Sequence, residues 1–171
     1  SISYKTVENY CKAASSIVHP LLEFYPYELS DMIAADETYI KILGKTAYIF
    51  FYFDSIKKIV TSYRVFAKRD SLSSIKAAYS TLVKYDTLPE SLKVISDGNP
   101  IYNVAVEYWS QNGLPFQLYQ VIGLTNQDAT SKEYRSQKQI IERFNRTLKY
   151  YYRPKGGFSS LDNANSYMVL F

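Results

Sequence analysis

Three acidic residues, far apart along the chain, stand where a carboxylate could serve as a metal ligand. Asp36 lies inside the apolar run of residues 32–40, where a charge that faced the core without a partner would be costly. Asp97 directly follows the short apolar segment 92–96, and ligand sites in open α/β sheets favour the carboxyl ends of strands. Glu142 stands among apolar residues at helical spacing. Carboxylates on rigid elements of this kind suit a hard divalent cation.

The chemistry that such a site supports is the transfer of a phosphodiester. Two divalent ions about 3.5–4 Å apart can activate the nucleophile, stabilise the leaving oxygen and neutralise the charge of the phosphate. Taken alone, each acid also has an ordinary interpretation. Asp36 could be an edge-strand charge, Asp97 could belong to an Asp-Gly turn, and Glu142 could be a salt-bridging helix residue.

Other kinds of site lack the residues they need. The chain has one histidine, His19, and one cysteine, Cys11, which excludes a zinc site built from His and Cys clusters and an internal disulfide framework. Neither common type of Gly-rich phosphate loop is present. The apolar stretches are too short to span a bilayer.

A basic segment near the end of the chain is the most uneven feature of the charge distribution. The formal net charge is +4, but residues 132–155 contain eight Lys and Arg residues against only Glu133 and Glu142. This composition fits phosphate binding, although a solvated helix face has the same composition. In a helix, Glu142 would share one face with the residues at offsets of three, four and seven, which are Asn145, Arg146 and Lys149.

The apolar periodicity predicts an α/β domain in which a five-stranded mixed sheet is flanked by helices and preceded by an N-terminal helix. An irregular linker is predicted around His19, Pro20 and Pro26, and a polar loop at 125–131. Ser71 is predicted to cap the second helix, and Asn99 to cap the third with Pro100 at its first position. The predicted strands are 32–43, 47–53, 59–67, 92–96 and 114–122, and the predicted helices are 2–18, one that follows Ser71, one that follows Asn99, 132–152 and one that begins near Ser160.

Three blocks in these elements resemble the signature blocks of DDE transposases, a family that includes insertion-sequence transposases and retroviral integrases. They are DETYIK at 36–41, SDG at 96–98 and IERFNRTLK at 141–149, of which the third is the most specific. The resemblance covers roughly residues 33–171. The order of the elements is also that of the ribonuclease-H-like fold.

The resemblance implies roles for particular residues. Asp36, Asp97 and Glu142 would be the catalytic triad and would hold two Mg²⁺ or Mn²⁺ ions. The separation of Asp97 from Glu142 is longer than in many relatives, which leaves Glu133 as a rival third ligand. The implied partners are double-stranded DNA, both element ends and target, and further copies of the chain in a homodimer or higher oligomer, with no membrane. The residues expected to contact DNA are Asn145, Arg146, Lys149, Arg153 and Lys155.

Two domains are expected. Residues 1–27 would form an N-terminal helix and linker, either a remnant of a helix-turn-helix DNA-binding domain or an ordinary packing helix, and residues 28–171 would form the catalytic core. The chain would then be part of a larger transposase that cleaves and transfers an insertion sequence at the nucleoid of a prokaryotic cytoplasm. The alternatives are an inactive or domesticated DNA-binding relic, a related ribonuclease-H-like nuclease, and a basic, aromatic RNA-binding module without chemistry.

Overall fold

The computed structural model describes residues 2–122, 128–152 and 156–171. Within these residues, helices cover both faces of a single mixed sheet, and a long helix precedes it, which confirms the predicted fold class. None of the described helices is long and apolar enough to cross a membrane. The elements are α1 (Tyr4–Glu23), β1 (Met32–Ile42), β2 (Lys45–Asp54), β3 (Ile59–Phe66), α2 (Ser71–Leu82), β4 (Lys93–Ser96), α3 (Ile101–Gln111), β5 (Gln117–Gln120), α4 (Ala129–Tyr152) and α5 (Leu161–Leu170).

The sheet has the strand order β3-β2-β1-β4-β5, so β1 lies at its centre. β1 and β3 both run antiparallel to β2, whereas β4 is parallel to β1 and β5 is parallel to β4. A two-residue turn joins β1 to β2, and both of its residues, Leu43 and Gly44, have positive φ. Positive φ at both positions is typical of a type I′ hairpin turn, whose twist matches that of the strands it joins.

Successive side chains of β1 enter two separate cores, because side chains alternate between the faces of a strand. Ile33 and Ala35 pack with residues of α2 and α3, whereas Ala34 and Ile40 pack with residues of α4 and α5. Each large apolar side chain that is fully buried in these cores stabilises the fold by roughly 1.5–3 kcal/mol. The same alternation directs Asp36 to the α4 side and Glu37 to the α3 side, as the hydrogen bonds described below show.

The N-terminal helix is longer than predicted. α1 continues through His19 and Pro20 to Glu23, so the prediction that the linker begins there is wrong. Pro20 removes one backbone hydrogen bond, but it lies close to the helix end. Beyond it, Glu23 pairs with His19 of the preceding turn at 3.4 Å and with Arg64 of β3 at 3.6 Å.

Most of the apolar side chains that repeat at helical spacing along α1 are exposed. Tyr10 and Ile17 are 71% and 68% exposed, and Ser15 is the buried residue of this helix. α1 lies against α5, where the Nδ2 amide of Asn163 donates a hydrogen bond to Glu8 at 3.4 Å. The polar side of the helix therefore makes this contact.

Two helix caps differ from the prediction by one residue. The N-cap of α2 is Asp70, whose carboxylate accepts a hydrogen bond from the backbone N–H of Ser73 at 2.9 Å, and Ser71 is the first helical residue. The N-cap position of α3 is Pro100, which makes no side-chain cap bond. The Asn99 side chain still contributes to this helix end, because its Oδ1 accepts a hydrogen bond from the N–H of Ile101 at 3.3 Å, while its Nδ2 amide donates to Glu37 on β1.

Two further boundaries have local physical reasons. β5 covers only Gln117–Gln120, because β4, the strand it pairs with, has only four residues. α4 begins at Ala129, because Asp128 caps it by accepting a hydrogen bond from the N–H of Ser131 at 2.7 Å. Residues 125–127 of the predicted polar loop lie outside the described part of the chain.

Candidate metal centre

Asp36 lies at the centre of the sheet and meets two residues of α4. The Lys138 ammonium lies 2.9 Å from Oδ1 of Asp36, and the Nδ2 amide of Asn145 donates a hydrogen bond to Oδ2 at 2.9 Å. Lys138 and Asn145 are seven residues apart, about two helical turns, and so project from the same face of α4. The side chains of Lys138 and Asp36 are only 6% and 14% exposed. Both oxygens of the Asp36 carboxylate therefore have partners on α4.

The environment of Asp36 raises the pKa of its carboxyl group above the ordinary value of 3.8. Burial is the main cause, and the charges of Glu37 and Asp97 add to it. The positive charge and hydrogen bond of Lys138 act in the opposite direction and lower the pKa. The carboxylate at position 36 thus lies in a site that a further cation would stabilise.

Asp97 follows β4 and is held by neighbours on both sides. Its Oδ1 accepts a hydrogen bond from the N–H of Asn99 at 3.0 Å. The Nε2 amide of Gln120, at the end of β5, donates to the carbonyl oxygens of Asp97 at 2.9 Å and of Asn99 at 3.1 Å. The predicted position at the carboxyl end of a strand is confirmed, and two parallel strands fix the turn.

Glu37 is a buried acid to which the sequence analysis gave no role. Its side chain is 4% exposed and pairs with Arg69. It accepts hydrogen bonds from the Nδ2 amide of Asn99 at 3.0 Å and from the Tyr102 hydroxyl at 2.6 Å. The sequence signal was a second charge within the apolar run of β1. Glu37 therefore links the central strand to the turn that carries Asp97.

Glu142 is exposed on α4 and lies beside Asp36. Both residues line a cavity of about 420 Å³, together with the three α4 residues that the helical spacing grouped with Glu142. Neither the rival acid Glu133 nor Asp97 lines this cavity. The lining residues are Asp36, Glu37, Glu142, Asn145, Arg146, Lys149 and Tyr150.

The other residues expected to contact DNA differ in their exposure and contacts. The Lys149 ammonium lies 4.9 Å from the centre of the exposed ring of Tyr39, a cation–π contact across the edge of the cavity. Arg146 is exposed. Arg153 and Lys155 lie outside the described residues.

The hydroxyl of Tyr152 accepts a hydrogen bond from the backbone N–H of Lys41, which ties the end of α4 to β1.

The described donors around Asp36 meet the needs of a divalent cation in their chemistry but not in their number. Within the described residues, no three Asp, Glu, His or Cys side chains lie close enough together to hold one metal ion. The donor chemistry nevertheless fits, because carboxylate and amide oxygens are the ligands that hard cations prefer. The Oδ1 atom of Asn145 is buried next to the cavity and has no hydrogen-bond partner in this part of the chain. The residues therefore suit a hard cation at Asp36, with Glu142 on the same cavity.

The strand order, the helices on both faces and the acids on the central strands define the class of the protein, a ribonuclease-H-like α/β domain. The chain belongs to the DDE domain family of transposase and integrase catalytic cores, because the profile of that family matches residues 30–171. This match confirms the resemblance drawn from the three sequence blocks. No curated protein matches the sequence.

Solved structures share the fold at low sequence identity. A chain of the simian T-cell lymphotropic virus intasome in complex with PP2A regulatory subunit B56 gamma has a TM-score of 0.57 and 17% identity, over 82% of this chain and 48% of that one. The catalytic core domain of BIV integrase has a TM-score of 0.52 and 16% identity, over 82% and 81%. The Mos1 strand transfer complex has a TM-score of 0.51 and 12% identity, over 94% and 53%. The chain spans about half the length of the first and third proteins.

Proposed function

We propose that this chain is the catalytic core of a transposase that cleaves and joins the DNA of an insertion sequence. The observation that carries the proposal is that Asp36 and Glu142 line one cavity within a DDE domain. In the proposed reaction, water attacks a phosphodiester at the end of the element. The freed 3′-hydroxyl then attacks a phosphodiester of the target DNA.

Asp36, Asp97 and Glu142 are the proposed ligands of Mg²⁺ or Mn²⁺, and two ions are proposed. When bound, the ions would supply activation of the nucleophile and stabilisation of the leaving oxygen. The protein would hold the ligand side chains in position. Asn145 orients the Asp36 carboxylate, and Glu37 holds Asn99 and thereby the turn that carries Asp97.

Double-stranded DNA is the proposed partner, and Arg146 and Lys149 are proposed to contact its phosphates beside the cavity. Such contacts release counterions, so the affinity for DNA should fall steeply with added salt. A homodimer or higher oligomer is proposed because two element ends must be brought together. Two proteins that share the fold were solved as an intasome and as a strand transfer complex, which supports this proposal.

The test is a Mn²⁺-dependent assay of nicking and strand transfer on duplexes that carry the ends flanking the gene. We expect D36N, D97N and E142Q each to lower the rate by at least about a hundredfold, a loss typical of groups that stabilise a transition state. The matched control is D86N, which changes an exposed aspartate outside the cavity and should leave the rate unchanged. Equal rates for wild type and D97N would rule out the proposal.

One observation favours a second candidate, an inactive DNA-binding relic. Lys138 neutralises Asp36, and the described residues contain no group of three acids close enough to hold a metal ion. A relic would bind DNA without binding Mn²⁺ and without cutting. A nuclease of the same fold would cut DNA but would produce no joined product in the same assay.

A further inference from the structure

We infer that Lys138 is a built-in counter-cation that competes with the divalent metal ion for Asp36, so that Asp36 binds the ion more tightly once the ion pair opens. This inference rests on the metal site of the proposed function. Its basis is the 2.9 Å contact between the Lys138 ammonium and Oδ1 of Asp36, formed by two side chains that are 6% and 14% exposed.

The ion pair of Lys138 differs from an ordinary surface ion pair because it is buried and involves a proposed metal ligand. A lysine this deeply buried is costly to desolvate unless an anion faces it, and the anion here is the central acid of the proposed triad. Lys138 also lies four residues before Glu142, so the two side chains project from neighbouring positions on the same side of α4.

A metal ion and the ammonium compete for the charge and the lone pairs of Oδ1 of Asp36. The two like charges would repel each other strongly in a part of the protein that water screens poorly. The Asn145 amide occupies the other oxygen, Oδ2. Binding of a metal ion at Asp36 is therefore weaker while the Lys138 ammonium stays in place.

The entry of DNA provides a new partner for the displaced ammonium. A DNA phosphate that reached the displaced ammonium would accept a charge-assisted hydrogen bond from Lys138, which frees Asp36 for the metal ion. Because coupling between two ligands is reciprocal, the metal ion would also strengthen the binding of DNA. Lys138 thereby favours assembly of the metal site when substrate is present.

The experiment measures Mn²⁺ binding by titration calorimetry without DNA, together with the melting temperature in the presence and absence of Mn²⁺. The variants are K138Q and K138M, which remove the charge, and K132Q, a matched control at an exposed lysine of the same helix. We expect both Lys138 variants to bind Mn²⁺ about tenfold more tightly than wild type. Without metal they should melt at a lower temperature, and Mn²⁺ should raise their melting temperature more than that of wild type. K132Q should behave as wild type.

The outcomes separate this inference from the proposed function. If both Lys138 variants, with circular dichroism like that of wild type, bind Mn²⁺ no more tightly, the competition is refuted. A gain in K138Q without one in K138M also refutes it, because the new amide would then be the cause. In either case, weaker Mn²⁺ binding by D36N than by wild type would still support Asp36 as a metal ligand, so the proposed function would stand without this inference. If no variant binds Mn²⁺, with or without duplex DNA, both the inference and the proposed function fail.

Discussion

Asn145 on α4 donates a hydrogen bond to Asp36 on β1 across 2.9 Å, although 109 residues separate the two along the chain. The bond joins the middle of the basic helix to the central strand of the sheet. It therefore sets the position of α4 along β1, and with it the position of Glu142 relative to Asp36.

Removal of the Asn145 amide should destabilise the protein and loosen this junction. N145A leaves one buried oxygen of Asp36 without its donor, so we expect a loss of about 1–3 kcal/mol in the free energy of unfolding. Urea denaturation measures it. N9A, at an exposed asparagine of α1, is the control and should change stability by less than about 0.5 kcal/mol. An equal effect of both substitutions would contradict the role given to Asn145.

Glu37 should matter for stability and for the proposed reaction. E37A removes the acceptor of Asn99 and Tyr102, and the Tyr102 side chain is buried, so we expect a loss of about 2–3 kcal/mol. E37Q keeps an acceptor oxygen and should lose less. Nicking by E37A, measured below its melting temperature, should fall because the turn that carries Asp97 is released.

The control for Glu37 is E90A, which truncates an exposed glutamate and should alter neither quantity. Wild-type nicking by a destabilised E37A protein would show that Glu37 supports the fold alone and does not position Asp97.

The basic residues beside the cavity should contribute to DNA affinity in a way that depends on salt. R146A and K149A should each weaken binding to any duplex and lower the slope of log affinity against log salt by about one. Fluorescence anisotropy between about 50 and 200 mM salt measures the slope. K76A on α2 provides the comparison, because Lys76 is exposed and lies outside the cavity lining. If R146A and K149A have the wild-type slope of log affinity against log salt, these two residues do not contact DNA phosphates.

Tyr63 gives a prediction for alkaline pH. Its hydroxyl donates to the carbonyl of Asn165 on α5 at 3.3 Å, and burial raises its pKa from 10.0 to about 12. The unfolded chain loses this proton first, so the stability that Tyr63 contributes is complete below pH 10 and is lost as the pH rises through about 12.

The Y63F variant should therefore lose less stability than wild type between about pH 10 and 12, as measured by the urea midpoint at each pH. Y4F is the control, because Tyr4 is 86% exposed. If Y63F and Y4F show the same pH dependence as wild type, Tyr63 ionises like an exposed tyrosine.

Periodicity predicted the elements well, because it reflects burial directly. The alternation in β1 placed Asp36 and Glu37 on opposite faces, and the helical repeat of α4 grouped Glu142 with Lys149. Both are local patterns, and both agree with the structure.

Contacts between distant segments could not be predicted in this way. The pairing of Lys138 with Asp36 depends on the angle at which α4 crosses the sheet, which no local repeat encodes. The engagement of Asn99 by Glu37 similarly requires the parallel pairing of β1 with β4. The helix through Pro20 was missed because proline is a helix breaker on average, and because the pair that Glu23 forms beyond it with Arg64 involves the distant strand β3.

The short turn at Leu43 and Gly44 has a consequence for how this family can vary in length. One residue added there would have to remain in the turn as a longer loop. If it instead shifted the pairing of β1 with β2 by one step, one of the two strands would have to exchange its faces. β1 could do so only by exchanging Asp36 and Glu37, and β2 only by turning its aromatic residues to the wrong core. Insertions at this turn in active relatives should therefore lengthen the loop and leave the pairing of the two strands unchanged.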